Sequence, residues 1–413
     1  MIRGKIANML RGQKRHLSFH TPGHKRKGAD ITELSYSDNL FSPHAVIKDA
    51  EEEIARRLGA YRTFFLTDGS TAGVHAMLYA LKEKGAKRIA LSPYSHPSVL
   101  GGCRLLGLTP SYFPAGKQEG IPLPPTREQM EGTLQNADAM LLTSPDYYGF
   151  FPDLAAARKI CDKEHKPLII DGAHGSHLHY EERYAGKFAD LWVDGAHKSL
   201  PALTQGAAVS AKTEEWAEEL EEGVRLFHTT SPSYPILASV EEAFLYPRNP
   251  KIEAAACAFK REAGAVLNGD WTKILIRYGV NTCAVQNFLE SRGVYPEFND
   301  GNYILFYLSP CTKTGDLKRL KSLLKKCPAP VAASGDREED ILTEMQADAA
   351  FEYVPLQEAI DRVCAQDVGI FPPSLPVVRK GEKINQDAVA RLEEATHTFG
   401  LIDGKVAVYS EKK

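Results

Sequence analysis

Apolar residues in this chain fall into two alternating rhythms between Tyr61 and Ala211. Short apolar runs appear as "RTFFLT" (62–67), "RIALSP" (88–93), "PSYFP" (110–114), "AMLLTSP" (139–145), "PLIID" (167–171), "ADLWVD" (189–194) and "GAAVSA" (206–211). Longer stretches with helical spacing lie between them. In "TAGVHAMLYALKEKG", Val74, Met77, Leu78 and Leu81 share a face and Gly85 ends it. Strands alternating with helices predict an α/β domain, a mainly parallel sheet covered on both faces. Ligands of such sheets sit outside the carboxyl ends of the strands, so residues just after each run are the candidates for chemistry.

Beyond Leu226 the rhythm changes. A helical region is expected from about Ile236 to Tyr278, with a loop near Pro247–Pro250, followed by the strand "NYILFYLS" and the Pro-rich "FPPSLPVV". This predicts a large domain over 1–235, and a helical connection with a smaller α+β domain over 236–413.

Composition narrows the classes of partner. The 413 residues are 43% hydrophobic and 25% charged, with a net charge of −3, which suits neither nucleic acid nor an anionic membrane. The basic cluster Lys14, Arg15, His16, His24, Lys25, Arg26 and Lys27 reads as solvated surface. No run reaches the ~18 apolar residues of a membrane span, and the N-terminus lacks a signal-peptide pattern. Seven scattered cysteines without a C-x-x-C pair indicate reduced thiols and a cytoplasmic protein.

Four strand ends carry candidate chemistry. After the first, "TDGSTAG" offers Gly69 for close approach and the hydroxyls of Ser70 and Thr71 at a helix start, which suits a phosphate or a plain capped turn. His96 in "PYSHPSV" either lies over an aromatic ligand or begins a helix. Asp171 ends "PLIID", where an ionised carboxylate needs a partner such as a protonated ring nitrogen. With His174, His177 and His179 it also forms a D-x-x-H-x-x-H-x-H pattern open to a metal, but the predicted site is metal-free. Lys198 follows "ADLWVDGAH", where desolvation favours the neutral, nucleophilic amine. A phosphate turn, a buried Asp and an activated lysine are together what pyridoxal 5′-phosphate (PLP) chemistry requires.

These residues, with "FHTPGHKRKG" (19–28), "DNL" (38–40), "TSPDYYG" (143–149), "DGAHGSH" (171–177), "HKSLPALTQGA" (197–207) and "TTSPSY" (229–234), resemble the ornithine/lysine/arginine decarboxylase family. The resemblance implies a seven-stranded sheet of the aspartate aminotransferase type (PLP fold type I). It implies that Lys198 forms the Schiff base and that His197 makes a phosphate or active-site contact. Asp171 would pair with the pyridine nitrogen, Ala173 would pack beneath the ring, and His96 would stack above it. His174 would sit near the O3′ side, and Ser70 and Thr71 would bind phosphate. The segment holding Thr230 and Ser231 would cross to a neighbouring subunit, implying a homodimer with shared sites.

The implied reaction is decarboxylation of a basic amino acid, for whose side chain Glu297 and Asp300 are candidate acids. Departures from the family pattern are Gly195, where a hydroxyl residue is usual, and Gly172, where an acid is usual. "SPYSHPS" lacks the usual arginine and the lysine after the histidine. "DNLFSPHAVI" lacks a glycine, and "FPPSLPVVRKGE" has an altered Pro-Gly pattern. Two rival readings remain. One is another PLP reaction, an aminotransferase or lyase, with Arg379 clamping the substrate carboxylate; the other is a non-catalytic PLP-binding relative.

Overall fold

The computed structural model describes residues 4–12, 17, 19–25, 30–114, 116–278, 282–330, 337–339, 350–370, 375–378, 380–395 and 397–410. Each of the seven apolar runs contains a strand of one sheet. In chain order come β1 (Arg62–Leu66), β2 (Arg88–Leu91), β3 (Thr109–Tyr112), the hairpin β4 (Gly116–Gln118) and β5 (Ile121–Pro122), β6 (Ala139–Thr143), β7 (Leu168–Gly172), β8 (Leu191–Asp194) and β9 (Ala207–Ala211). The seven-stranded sheet has the order β1-β9-β8-β7-β6-β2-β3. Strands β8, β7, β6, β2 and β3 run parallel to one another, and β9 runs against both β1 and β8.

Successive side chains on a strand face opposite sides, and here both sides are apolar. Ile170, Trp192 and Ala208 enter one core and Ile169, Leu191 and Val209 the other. The covering helices are α1 (Lys5–Gly12), α2 (Val46–Leu58), α3 (Gly69–Glu83), α4 (Pro97–Leu106), α5 (Arg127–Leu134), α6 (Leu154–Glu164), the single turn α7 (Ala196–Ser199), α8 (Glu214–Phe227) and α9 (Tyr234–Phe244). Helices α3, α4 and α8 cover one face, and α1, α2, α5, α6 and α9 the other.

Two of the quoted motifs fasten this frame. The buried carboxylate of Asp38, in "DNL", accepts N–H bonds from Ala45 and Ile47 at the start of α2, each 2.9 Å long. Its backbone meets the hydroxyl of Tyr234, from "TTSPSY", twice, at 2.7 and 2.6 Å. These contacts satisfy helix-end donors that burial would otherwise leave orphaned.

Past α9 the chain builds α10 (Pro250–Glu262), β10 (Lys273–Arg277), α11 (Thr282–Glu290), β11 (Phe298–Asn299), β12 (Tyr303–Tyr307) and α12 (Thr314–Leu324). Helix does not extend to Tyr278 as the sequence pattern suggested. After Glu262 the period becomes two: Ile274 and Ile276 enter the core beneath α10, α11 and α12, and Leu275 enters another with Tyr303 and Leu305. Gly264 in the left-handed region (φ 62°) turns the chain after α10. Strands β10, β12 and β11 pair antiparallel. A last core gathers the strands Phe351–Pro355 and Lys405–Tyr409 with helix α13 (Gln386–Glu394).

Candidate active site

A cavity of about 750 Å³ opens at the carboxyl ends of β2, β6, β7 and β8, where the antiparallel sheet leans over them. Lys198 reaches it because β8 stops at Asp194 and the one-turn α7 follows immediately, closed by the Lys198 N–H bond to the Gly195 carbonyl at 2.9 Å. Burial holds the Lys198 amine below the usual lysine range. Its Nζ lies 3.2 Å from Nε2 of His174, which the turn after β7 supplies.

His174 is buried, and burial together with the Lys198 charge keeps its imidazole well below the usual range, hence neutral. Its Nδ1 lies 3.3 Å from the hydroxyl of Tyr307, the last residue of β12. The two rings stack with centroids 5.9 Å apart, and Tyr147 meets His174 edge-on at 5.1 Å. Nδ1–H donating to Tyr307 and Nε2 accepting from Lys198 satisfies both contacts.

Asp171, His96, Ala173, His197 and Ser70 line the same cavity. Asp171 is buried and accepts the Ala173 N–H at 3.1 Å. His197 is fixed by Nδ1 against the Gly206 carbonyl at 2.9 Å. Of its two anticipated readings, His96 meets the helix-start one. It lines the cavity and is the N-cap of α4, its Nδ1 accepting the Ser98 N–H at 3.2 Å.

Of the turn expected to bind a phosphate, only Ser70 lines the cavity. Gly69 has φ 76°, a left-handed backbone that favours glycine, but its N–H donates to the Gln205 carbonyl at 2.9 Å. Thr71 is exposed and, like Gly69, Thr230 and Ser231, absent from this chain's cavity wall. Two hydroxyls that the sequence reading passed over stand in it instead. Ser95 Oγ and Thr143 Oγ1 line the cavity, are buried, and have no hydrogen-bond partner among the described residues. An unsatisfied buried hydroxyl is costly, which makes both available donors for a bound group.

Glu297 and Asp300 both face the cavity, each met by a tyrosine from "TSPDYYG". Tyr147 donates to Glu297 Oε1 at 2.9 Å and Tyr148 to Asp300 Oδ2 at 3.3 Å. Asp300 is otherwise occupied, its Oδ1 accepting the N–H groups of Asn302 and Tyr303 at 3.0 and 2.7 Å. Burial raises its carboxyl above the ordinary value. Glu297 Oε2 has no bonded partner among the described residues. Arg379 lies outside the described residues; a different arginine, Arg391 on α13, lines the cavity and donates to the Asp300 carbonyl at 2.5 Å.

The histidines of the metal pattern turn apart. His174 goes to Lys198, His177 Nε2 to Asp270 at 3.0 Å, and His179 Nδ1 to the Ser176 carbonyl at 2.8 Å. Among the described residues no group of three or more His, Cys, Asp or Glu side chains is placed to hold a metal.

Tyr147, Tyr307, Ser95, Thr143 and Arg391 were not anticipated as site residues. Tyr147 had a signal, following the β6 strand end by the same crevice rule that flagged Asp171. Tyr307 and Arg391 come from segments whose approach to the sheet no local pattern announces.

The sheet order and the lysine-bearing turn define an enzyme of the aspartate aminotransferase fold type, and solved structures agree. Lysine decarboxylase LdcF of Francisella novicida superposes with a TM-score of 0.77 at 18% identity, covering 98% of this chain and 81% of that one. Lysine decarboxylase A of Pseudomonas aeruginosa gives 0.76 at 16% identity over 99% and 80%. Among curated sequences, protein YaaO of Bacillus subtilis is 27% identical over 96% of each chain. An arginine decarboxylase of Halalkalibacterium halodurans is 26% identical over 92% of this chain and 90% of its own.

The profile of the Orn/Lys/Arg decarboxylase major domain matches residues 19–251, and this chain belongs to that family. The enzyme class is PLP-dependent amino acid decarboxylase. The residues present fit the cofactor: an amine at Lys198, a buried carboxylate at Asp171 and unpartnered hydroxyls at Ser95 and Thr143 line one cavity.

Proposed function

We propose that this protein decarboxylates a basic amino acid (lysine, ornithine or arginine) with its cofactor attached at Lys198. The observation that carries the reading is one cavity holding both a desolvated lysine amine and the carboxylate of Glu297, one oxygen of which is unengaged. A desolvated amine suits covalent attachment of an aldehyde cofactor, and an unengaged carboxylate suits a cationic side chain.

Bound there, PLP supplies an electron-accepting ring for the pair released when the bond from Cα to the carboxylate breaks. Lys198 would hold the cofactor through its amine. Asp171 keeps a proton on the ring nitrogen. Ala173 would lie beneath the ring and His96 above it, while Ser70, Ser95, Thr143 and His197 would hold the phosphate. His174 accepts a hydrogen bond from the Lys198 amine and so keeps it placed near the reacting carbon. Glu297 grips the distal cation and thereby fixes which Cα bond is presented for cleavage.

The working unit in this reading is a homodimer in the cytoplasm. Phe19 and Leu203, exposed at 92% and 51%, support a covered interface. Thr230 and Ser231, exposed and outside their own chain's cavity, would serve the partner's. Seven free cysteines support a reducing compartment, and no helix among the described residues is long and apolar enough to cross a membrane. The division into domains 1–235 and 236–413 belongs to the same proposal, with α9 linking them.

A product screen by mass spectrometry tests the function. Purified protein, PLP and a mixture of amino acids should yield a diamine or agmatine, and Lys198→Ala should yield none. A keto acid in its place would overturn decarboxylation in favour of transamination. No Lys198-dependent product would leave a binding role.

A further inference from the structure

Behind the cavity wall lies an ionic cluster that the proposed chemistry does not use. Asp270 and Lys273 are fully buried and paired, Lys273 Nζ to Asp270 Oδ2 at 2.6 Å. Asp270 Oδ1 also accepts from His177, and from the N–H and hydroxyl of Thr272 at 2.9 and 2.7 Å. Lys260 donates to the Asp270 carbonyl and to Asn268. A buried ion pair is no better for stability than apolar packing of the same volume. A role for this one is found in what Lys273 touches.

Lys273 on β10 stands directly opposite Tyr307 on β12 in the antiparallel register. Its ammonium lies 4.8 Å from the centre of the Tyr307 ring, a cation–π contact in a dry site. Tyr307 stacks on His174 and bonds its Nδ1, and His174 Nε2 meets the Lys198 amine. An unbroken line of contacts thus runs from Asp270 through Lys273, Tyr307 and His174 to Lys198.

We propose that Lys273, braced by Asp270, is a positioning residue for Lys198, holding Tyr307 and through it His174 against the amine. The inference rests on Lys198 being the functional lysine. The groups facing Lys198 are Asp171 and Glu297, which favour its ammonium, and Lys273, which opposes it. His174 faces Lys198, Lys273, His96 and Asp270. Tyr307 faces Asp270, Glu297 and Tyr147, and burial raises its phenol well above the ordinary value, so it stays neutral.

The test is the pH dependence of Lys198 labelling in the full-length chain. A small aldehyde with a mild reductant is applied between about pH 6 and pH 10, and peptides are quantified by mass spectrometry, with exposed Lys163 as internal reference. Lys198 should label at lower pH than Lys163. In Lys273→Met its midpoint should rise by about one pH unit, the scale of losing a nearby like charge. Lys260→Met removes a lysine of the same cluster that does not face Tyr307, and should leave the midpoint in place. An unmoved midpoint in Lys273→Met, or equal shifts in the two variants, would overturn the proposal. If Lys273→Met does not fold, Asp270→Asn/Lys273→Met removes both charges together; because the two partly offset, the midpoint should rise by less than in the single variant, and no rise at all would overturn the proposal. Labelling reports on the amine whether or not any amino acid is turned over, so a failed product screen leaves this test intact.

Discussion

Gly195 packs on Ala173 so closely that a β-carbon added to it would stand 2.4 Å from the Ala173 carbonyl oxygen. Across the same pair of strand ends, a β-carbon on Gly172 would stand 2.8 Å from the Val193 carbonyl oxygen. Real side chains do not tolerate either distance. The two glycines that depart from the family pattern therefore go together, letting the ends of β7 and β8 close up beneath the cavity.

Restoring the family's hydroxyl should accordingly do harm. Gly195→Ser is expected to destabilise the protein by about 1–3 kcal/mol, the usual cost of overpacking, and to weaken cofactor retention. Thermal melts with and without PLP check it; a Gly195→Ser protein of unchanged melting temperature that holds the cofactor more tightly would show that the turn has room after all.

Glu297 and Asp300 should separate in kinetics. Glu297→Gln removes a cavity carboxylate whose Oε2 is unengaged and should lower kcat/KM for the basic substrate roughly tenfold or more, mainly through KM. Asp300→Ala removes the acceptor of two loop N–H groups and should lower the melting temperature. Steady-state kinetics and melts on both variants decide it, and a larger KM effect from Asp300 would reverse the assignment.

Ser95 and Thr143 should act on the cofactor. Loss of a hydrogen bond to a charged group costs about 1.5–3 kcal/mol, so Ser95→Ala and Thr143→Val should each raise the PLP dissociation constant by roughly tenfold or more. Equilibrium dialysis reads this directly. Were either hydroxyl idle, its removal would leave affinity unchanged and relieve a buried polar atom, raising the melting temperature.

Glu51 gives a pH signature remote from the site. Burial raises its carboxyl from 4.5 to about 8, while it accepts the Phe65 N–H at 2.9 Å. A raised folded-state value means the native form binds the extra proton. Glu51's contribution is therefore intact below 4.5 and declines as pH rises towards 8. Glu51→Gln keeps the acceptor without the titration and should gain melting temperature over wild type progressively across that window. A constant difference across it would show that Glu51 does not titrate there.

Alternation of apolar runs and helical stretches was enough to place all seven strands of the main sheet, because strands buried on both faces must read as continuous apolar segments; only the edge strand β3, partly exposed, lacks that reason. Strand-end logic likewise brought Lys198, Asp171, His96 and His174 to one cavity, since a parallel sheet delivers all its carboxyl ends to one edge. The period failed after Glu262, where "WTKILIRY" is apolar enough for either element and only pairing with β12 makes it a strand. Three features had no local signal: the unengaged oxygen of Glu297, the occupied state of Asp300, and the line from Asp270 to Lys198. The Glu297 contact and the line to Lys198 need side chains 24 to 150 residues apart to meet, while Asp300 is bonded locally by Asn302 and Tyr303 but acquires its burial only in the fold. Sequence by itself therefore determined that Lys198, Asp171, His96 and His174 gather at the strand ends. Tertiary packing decided which residues there are free to do chemistry, because hydrogen-bond satisfaction and desolvation are properties of neighbours that only the folded chain assembles.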